Sequence, residues 1–214
     1  MDEVERIAQE VVKRLRGSEP RAAAAGGIPV AVSARHLHVA RGVLDCLFGE
    51  GHQLTKLRDL GQPGEFACEE CVTIVGASTR AIEGVRLLGP VRSYTQVEMS
   101  RTDGIRLGLD APVRKSGDVA GSPPITVVGP RGTAALREGA IRATRHIHMT
   151  ERDADLQRVR NGDLVRVRFP GPRALVFENV LIRVSKAAAL ELHLDTDDAN
   201  AADVRLPMSV DILR

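Results

Sequence analysis

Four of the six histidines lie in two copies of one short pattern. Residues 35–38 read Arg-His-Leu-His, and residues 145–148 read Arg-His-Ile-His, 110 positions further along the chain. In a β-strand, residues i and i+2 face the same side, roughly 6.5–7 Å apart, so each imidazole pair can converge on one metal ion or on two adjacent ions. Imidazole nitrogen binds zinc well, and three protein ligands with an open position are typical of catalytic zinc. The predicted metal ligands are therefore His36, His38, His146 and His148.

Two further side chains are candidates to complete such sites. His193 lies in the alternating segment 190–195, and Glu98 lies in the run 95–99, which aligns loosely with the second His unit. A lone His-x-His pair is more often structural than ligating, whereas two copies and a further histidine in an apolar strand favour metal binding. The intervening Leu37 and Ile147 are expected to face the core and fix the strands.

Phosphate binding would have to use arginine and backbone donors. The sequence has no Gly-rich phosphate loop of the Walker or dinucleotide type and no Gly-x-Ser-x-Gly nucleophile motif. Arg92, just after Gly89-Pro90, is one candidate phosphate ligand, because arginine can donate two parallel hydrogen bonds to an oxyanion. Arg35 and Arg145 would alternate to the strand face opposite the histidines, which indicates a structural role.

The cysteines give only weak chemical signals. Cys68 and Cys71 form a lone Cys-x-x-Cys without a second pair, so we interpret them as buried or half-buried strand residues rather than a zinc knuckle. A nucleophilic cysteine would have no supporting signature nearby. Three cysteines do not make a disulfide framework, and a reducing cytosol is the simplest compartment.

The composition is that of a globular chain with an aliphatic core. Of 214 residues, 43% are hydrophobic, 27% are charged and only 2% are aromatic, and the formal net charge is +2. Single-stranded nucleic acid is not an expected partner, because few aromatic side chains are present on which bases could stack. The first twenty residues are rich in charge and have no secretory h-region. The longest uncharged apolar stretch, 22–32, is too short and too broken by Gly and Pro to span a membrane.

Short strands separated by Gly/Pro breaks dominate the chain after residue 28, and short helices are predicted to begin near Arg41 and Glu151. The predicted strands are 30–33, 72–75, 85–88, 125–128, 164–169, 175–184 and 190–194. Besides the His units, residues 72–76 (VTIVG) resemble residues 125–129 (ITVVG). We therefore predict a mainly β protein made of two small β-barrels related by internal duplication, with short helices.

The N-terminal segment has the pattern of an amphipathic helix followed by a linker. Apolar residues between positions 4 and 15 fall at i, i+3, i+4, i+7, i+8 and i+11, which predicts a helix over 1–16, and the small-residue run that follows predicts a linker over 17–27. A helix this short cannot bury its apolar stripe by itself. Its pattern leaves open whether it docks on its own globular body, on a sister subunit or on another partner.

Taken together, these motifs resemble the PduL-type phosphate propanoyltransferases, or phosphotransacylases, of bacterial microcompartments. The resemblance runs from about residue 28 to residue 202. It rests on the segments 29–38 (PVAVSARHLH), 87–90 (LLGP), 95–98 (TQVE), 111–114 (APVR), 116–118 (SGD), 121–123 (GSP), 145–150 (RHIHMT) and 192–197 (LHLDTD). One departure is Ala40, which replaces the hydroxyl residue that caps the helix after the first His pair, whereas Thr150 keeps it in the second.

The resemblance implies a fold and a reaction. The fold would be two β-barrels, one discontinuous and formed by 28–35 plus 144–214, the other formed by 36–143, with the active site between them. The reaction would be acyl-CoA plus phosphate to acyl phosphate plus CoA, reversibly, at two zinc ions. The implied ligand sets are His36, His38 and Glu98 for one zinc, and His146, His148 and His193 for the other; Arg92 would face phosphate.

Partners and location also follow from the resemblance. Residues 1–16 would be an encapsulation peptide that binds shell or core proteins, which places the protein in the microcompartment lumen, within the cytoplasm. A homo-oligomer is expected, and neither nucleic acid nor membrane is an expected partner.

The first zinc would take the CoA sulfur, because a metal-bound thiol is readily deprotonated, and the second would orient phosphate. Direct transfer is favoured over an acyl-enzyme.

Two other function classes remain open from the sequence. One is a non-catalytic zinc-binding cargo or adaptor protein, whose metals only hold two barrels together. The other is a zinc hydrolase acting on thioesters, whose release of CoA would not depend on phosphate. The preferred acyl chain, the type of microcompartment and the metal used in the cell are left open as well.

Overall fold

The computed structural model describes residues 27–213. The strands are β1 (Ile28–Ser33), β2 (His36–His38), β3 (Lys56–Asp59), β4 (Phe66–Val75), β5 (Ala81–Gly89), β6 (Gln96–Glu98), β7 (Val113–Arg114), β8 (Ile125–Val128), β9 (Thr133–Leu136), β10 (Ala140–Ala143), β11 (His146–Met149), β12 (Leu164–Phe169), β13 (Leu175–Val184), β14 (Glu191–Asp195) and β15 (Ser209–Leu213). The helices are α1 (Arg41–Phe48), α2 (Arg101–Leu107), α3 (Glu151–Gln157) and α4 (Thr196–Ala201), and a 3₁₀ turn spans Ala77–Thr79.

Six strands form a closed barrel in the order β1-β14-β11-β13-β12-β15. The first strand closes it, because β1 pairs with β14 in parallel and with β15 in antiparallel orientation. The alternation in β12 turns Val167 and Phe169 into the core and leaves Arg166 and Arg168 exposed. This confirms the prediction of a mainly β protein with a closed barrel.

The other nine strands form a curled sheet rather than a second closed barrel. Eight of them follow the order β7-β10-β6-β2-β5-β4-β8-β9, and β3 pairs with β4. The strands that correspond to the closing pair β1 and β15 of the barrel are β10 and β8, but the second side of β10 pairs with β7 and that of β8 pairs with β9. Within the described residues, one backbone hydrogen bond, from Ala140 N–H to Pro123 O at 3.4 Å, links β10 to the segment before β8. The sequence-based expectation of two closed barrels therefore holds for one unit.

The barrel and the core of the sheet nevertheless share one strand order. The path β1-β14-β11-β13-β12-β15 in the barrel corresponds to β10-β6-β2-β5-β4-β8 in the sheet. Each corresponding pair has the same orientation, from the parallel β1/β14 and β10/β6 pairs to the antiparallel β12/β15 and β4/β8 pairs. Each His-x-His strand is preceded in the chain by a strand that belongs to the other unit.

The second sequence echo has a different origin. Residues 72–76 and 125–129 do not occupy equivalent places in the two units; they lie in β4 and β8, which are neighbours in the same sheet. Both segments end in a glycine beside the last turn of a helix. A Cβ at Gly76 would lie 2.3 Å from Leu107 O, and one at Gly129 would lie 2.5 Å from Leu47 O. The close approach accounts for the shared glycine, and the placement of β4 and β8 in one sheet separates this similarity from the relation between the two units.

The predicted helices near Arg41 and Glu151 are α1 and α3, and their first residues are capped differently. The Thr150 side chain accepts a hydrogen bond from Asp153 N–H in a capping box, whereas Ala40 has the same extended backbone conformation and no side-chain cap. Replacing Ala40 with serine should therefore raise the free energy of unfolding by about 1 kcal/mol, and Thr150→Ala should lower it by about the same amount. Chemical denaturation measures both, and equal stability of Ala40→Ser and the parent protein would contradict the prediction.

The predicted helix at 1–16 and all but the last residue of the predicted linker lie outside the described residues. Within residues 27–213, no helix has the length and apolar character needed to cross a membrane.

Candidate metal centre

Two short strands carry the His pairs, and each is pinned by an aliphatic residue between its histidines. Leu37 in β2 and Ile147 in β11 are both fully buried, each in the core of its own unit. The strands therefore cannot rotate without exposing a core side chain. This fixes both imidazoles of each pair on the opposite face, as the i, i+2 spacing predicts.

The first cluster consists of His36, His38 and Glu98. His36 lies opposite Glu98 in the antiparallel β2/β6 pair. The Nε2 atoms of His36 and His38 lie 3.6 and 3.8 Å from the two Glu98 carboxylate oxygens. These distances are long for hydrogen bonds, but ligands about 2.0–2.1 Å from a tetrahedral ion lie roughly 3.3 Å apart. The donor set and its spacing therefore fit a zinc ion.

The second cluster consists of His146, His148 and His193. His146 lies opposite His193 in the antiparallel β11/β14 pair. The Nε2 atoms of His146 and His148 are 3.0 Å apart, and the His193 ring centre lies 5.1 and 4.9 Å from the other two. Glu98 and His193 thus occupy the same place in the two units. The sequence comparison had instead matched the run around Glu98 loosely with the second His pair.

Three of the imidazoles, those of His38, His146 and His148, are held in the neutral form that metal binding requires. Burial, with the neighbouring His36, lowers the pKa of His38 to about 2. Burial, with the neighbouring His193, lowers the pKa of His148 to about 4 and that of His146 well below its usual value. Neutral imidazoles whose nitrogens face one another offer lone pairs to a common ion.

Backbone carbonyls select the nitrogen that each first histidine can offer. His36 Nδ1 lies 2.8 Å from Ala34 O, and His146 Nδ1 lies 2.7 Å from Thr144 O. A carbonyl can only accept, so Nδ1 carries the proton and Nε2 keeps the lone pair. The same second contact to a carbonyl is typical of metal-binding histidines.

One cleft of about 810 Å³ contains both clusters. Its lining comes from the barrel and from the sheet and includes His36, His38, Glu98, His146, His148, His193 and Arg92. The Arg92 guanidinium donates to Glu65 Oε1 and to the Tyr94 hydroxyl, both at 2.7 Å. The structure thus brings every predicted site residue to one cleft and orients Arg92 by two side chains.

The sequence reasoning missed the residues that hold the candidate ligands. Gln96, fully buried, donates to Glu98 Oε1 at 2.5 Å and to Ser116 Oγ at 2.7 Å. In the second cluster, Glu191 Oε2 lies 2.7 Å from His193 Nε2. Burial raises the pKa of the Glu191 carboxyl, but hydrogen bonds from His193 and Gln62 outweigh it, so the pKa lies below its usual value. The only signal for both was their position, two residues before a candidate ligand on the same strand face.

Arg35 and Arg145 do not contact the candidate ligands. Each instead contacts an aspartate at the start of a nearby helix. Arg35 Nη1 bonds Asp103 Oδ1 at 2.8 Å, and Arg145 Nε lies 3.0 Å from Asp198 Oδ2. Both aspartates lie in the first turn of a helix, α2 and α4 respectively. The contacts agree with the predicted structural role.

A family model and several known proteins that are similar to this chain carry one description. A family model described as phosphate propanoyltransferase matches residues 29–205. Proteins of that name are 54% identical in Thermotoga maritima, over 82% of this chain and 84% of the relative, and 52% identical in Lachnoclostridium phytofermentans, over 87% of each. One from Planctopirus limnophila is 40% identical over 99% of this chain and 91% of its own length. The chain therefore belongs to the phosphate propanoyltransferase family, a family of phosphate acyltransferase enzymes.

Proposed function

We propose that the protein converts a short acyl-CoA, such as propanoyl-CoA, and phosphate reversibly into acyl phosphate and CoA at a site that binds two zinc ions. The observation that carries the proposal is the convergence of two three-residue clusters and Arg92 on one cleft. Family membership supplies the reaction class.

The metal assignment follows the two clusters. His36, His38 and Glu98 would hold one zinc ion, and His146, His148 and His193 would hold the other. Bound zinc supplies a Lewis acid that polarises oxygen and favours the thiolate form of a bound thiol. The positions of His36 and His38 support this assignment, because the Nε2 atom of each is directed at a different oxygen of the Glu98 carboxylate.

Arg92 would bind the phosphate that attacks the thioester. Its guanidinium can donate two parallel hydrogen bonds to an oxyanion, and charge-assisted bonds of this kind are stronger than neutral ones. Arg92 lies in the cleft wall, and its Nη1 and Nη2 are already directed by Tyr94 and Glu65. Phosphate would compete with the Glu65 carboxylate for the same donors.

We favour direct transfer over an acyl-enzyme, which would have to form on a cysteine or on a glutamate of the cleft such as Glu65. Among residues 27–213, no cysteine lines the cleft. Cys68 is buried in β4, and burial raises the pKa of its thiol to about 11, which keeps it protonated. Phosphate and the thioester would then meet in one complex.

The test is the release of CoA thiol from propanoyl-CoA, with and without phosphate, before and after chelation. We expect release that requires phosphate, is abolished by chelation and returns with zinc. Release without phosphate would indicate a thioester hydrolase. No release from any short acyl-CoA would leave a zinc-binding cargo or adaptor protein as the function. A panel of acyl-CoA chain lengths then gives the preferred substrate.

The N-terminal segment and the location are part of the same proposal. The amphipathic pattern over 1–16 and the linker over 17–27 support an encapsulation peptide that places the enzyme in a bacterial microcompartment through shell or core proteins. Removing residues 1–16 should abolish co-purification with microcompartments and leave turnover unchanged. We also expect a homo-oligomer, which light scattering of the full chain would measure.

The proposed domain division is 28–35 plus 144–214 for one unit and 36–143 for the other. The shared strand order of the two sheets and their separate hydrophobic cores support an origin by internal duplication.

A further inference from the structure

One buried side chain crosses from the sheet to the barrel beside the second cluster. Gln62 lies between β3 and β4, is 6% exposed, and exchanges hydrogen bonds with the backbone of Ala189. Its Nε2 donates to Ala189 O at 3.0 Å, and its Oε1 accepts from Ala189 N–H at 3.2 Å. Because both amide atoms are used, the position of this side chain is fixed relative to the strand β14 that begins at Glu191.

The same amide reaches the Glu191 carboxylate. Gln62 Nε2 lies 3.3 Å from Glu191 Oε2, and the neighbouring Gly61 leaves room for that carboxylate. A Cβ at Gly61 would lie 2.5 Å from both Glu191 oxygens. The segment that contains Gly61 and Gln62 therefore confines Glu191 from the side of the sheet.

Glu191 in turn selects the nitrogen that His193 can offer. Its Oε2 lies 2.7 Å from His193 Nε2, and a carboxylate can only accept, so Nε2 carries the proton. The lone pair of His193 is then on Nδ1. In His146 the arrangement is the opposite, because Thr144 O takes the Nδ1 proton and leaves Nε2 free. The two histidines face each other across β11 and β14.

The residue of the first cluster that corresponds to Glu191 is a neutral amide, Gln96. Gln96 precedes Glu98 by two residues in β6, as Glu191 precedes His193 in β14, and each lies opposite the second histidine of its pair. A neutral amide thus stands beside a carboxylate ligand, and a carboxylate stands beside an imidazole ligand. Each cluster thus has one carboxylate beside its histidines, and that of Glu98 would be a ligand whereas that of Glu191 would hold one.

We propose that Glu191 is a positioning residue that fixes the tautomer and orientation of His193, and that Gln62 holds Glu191 in place from the neighbouring sheet. The second metal site is then completed only when the two units are correctly packed. The inference rests on the metal assignment under the proposed function and goes beyond it.

The test measures zinc binding to the full chain by metal analysis and by competition with a chromophoric chelator. We expect two ions per chain in the parent protein, and 10- to 100-fold weaker binding of one of them in Gln62→Ala and in Glu191→Ala, as for other residues that orient a metal ligand. Glu191→Gln keeps an oxygen acceptor and should lose less. The matched controls are Gln53→Ala and Glu83→Gln, both at exposed positions, which should bind zinc as the parent does.

A spectroscopic measurement separates positioning from general destabilisation. Co²⁺ replaces zinc and has a visible spectrum that reports ligand geometry. Gln62→Ala should change the Co²⁺ spectrum of the cluster that contains His193 and leave that of the cluster that contains Glu98 unchanged. A loss of stability alone would instead weaken Co²⁺ binding equally at both clusters.

Three results would overturn the inference. Unchanged affinity at both sites in Gln62→Ala and Glu191→Ala would do so while leaving the proposed function intact. A loss in Glu191→Gln as large as that in His193→Ala would make Glu191 a direct ligand instead. A parent protein that binds no zinc would remove the metal assignment itself, and the inference with it.

Discussion

Replacing His146 with alanine is expected to remove zinc from the second cluster and to lower turnover about 10³-fold or more. A metal Lewis acid contributes several kcal/mol of transition-state stabilisation, and each 1.4 kcal/mol corresponds to roughly a tenfold change in rate. His146 is the residue to change because it is only 8% exposed and its ligand nitrogen lies within 4.8 Å of those of the other two histidines of its cluster. Metal analysis and the rate of phosphate-dependent CoA release measure the two effects on one sample.

The matched control is His52→Ala. His52 is the one histidine outside the two clusters, and its Nε2 lies 2.8 Å from the Glu70 carboxylate. This variant should keep both zinc ions and its turnover, even if it loses some stability. Chelation of the parent protein, which removes both ions, should lower the rate at least as far as His146→Ala does, and added zinc should restore the parent but not the variant. Full zinc content and full turnover in His146→Ala would rule out the metal assignment.

Replacing Arg92 with lysine is expected to lower kcat/KM for phosphate about 10- to 100-fold. Hydrogen bonds to charged groups contribute about 1.5–3 kcal/mol, and lysine keeps the charge but cannot form the two parallel donors. Zinc content should not change, because Arg92 contacts Glu65 and Tyr94 and not the candidate ligands. Steady-state rates at varied phosphate and fixed propanoyl-CoA measure the effect.

Two comparisons make this result specific. Arg92→Ala should lose more than Arg92→Lys, since it removes the charge as well as the donors. Arg131→Ala, at an exposed position outside the cleft, should leave the phosphate dependence unchanged. If Arg92→Lys changes only the KM for propanoyl-CoA, Arg92 serves the thioester and not phosphate.

Much of the local structure could be read from short-range patterns. The predicted strands 125–128, 164–169 and 175–184 coincide with β8, β12 and β13, because alternating or continuous aliphatic residues between Gly/Pro breaks specify strands. Six short strands were not predicted, namely β3, β6, β7, β9, β10 and β15. All are five residues long or shorter, and β3, β7 and β9 are also mostly exposed, so they carry little hydrophobic signal of their own.

The candidate ligands and the strand faces on which the histidine pairs lie follow from the amino-acid pattern alone. A period of two in β2 and β11 places both histidines of a pair on one side, and a buried Leu37 or Ile147 between them holds that orientation. These are properties of neighbouring residues on one strand, so the pattern contains them without knowledge of the fold.

The surroundings of those ligands depend on how distant segments of the chain fold together. Glu98 and His193 join their clusters through strand pairing across 62 and 47 positions of the chain respectively, counted from His36 and His146. Gln62 reaches Glu191 over 129 positions. The closure of one unit and not the other depends on whether β7 and β9 occupy the edges of the sheet. Such contacts arise when separate strands meet, because backbone hydrogen bonding and burial are satisfied between distant segments, and no local pattern specifies the partner.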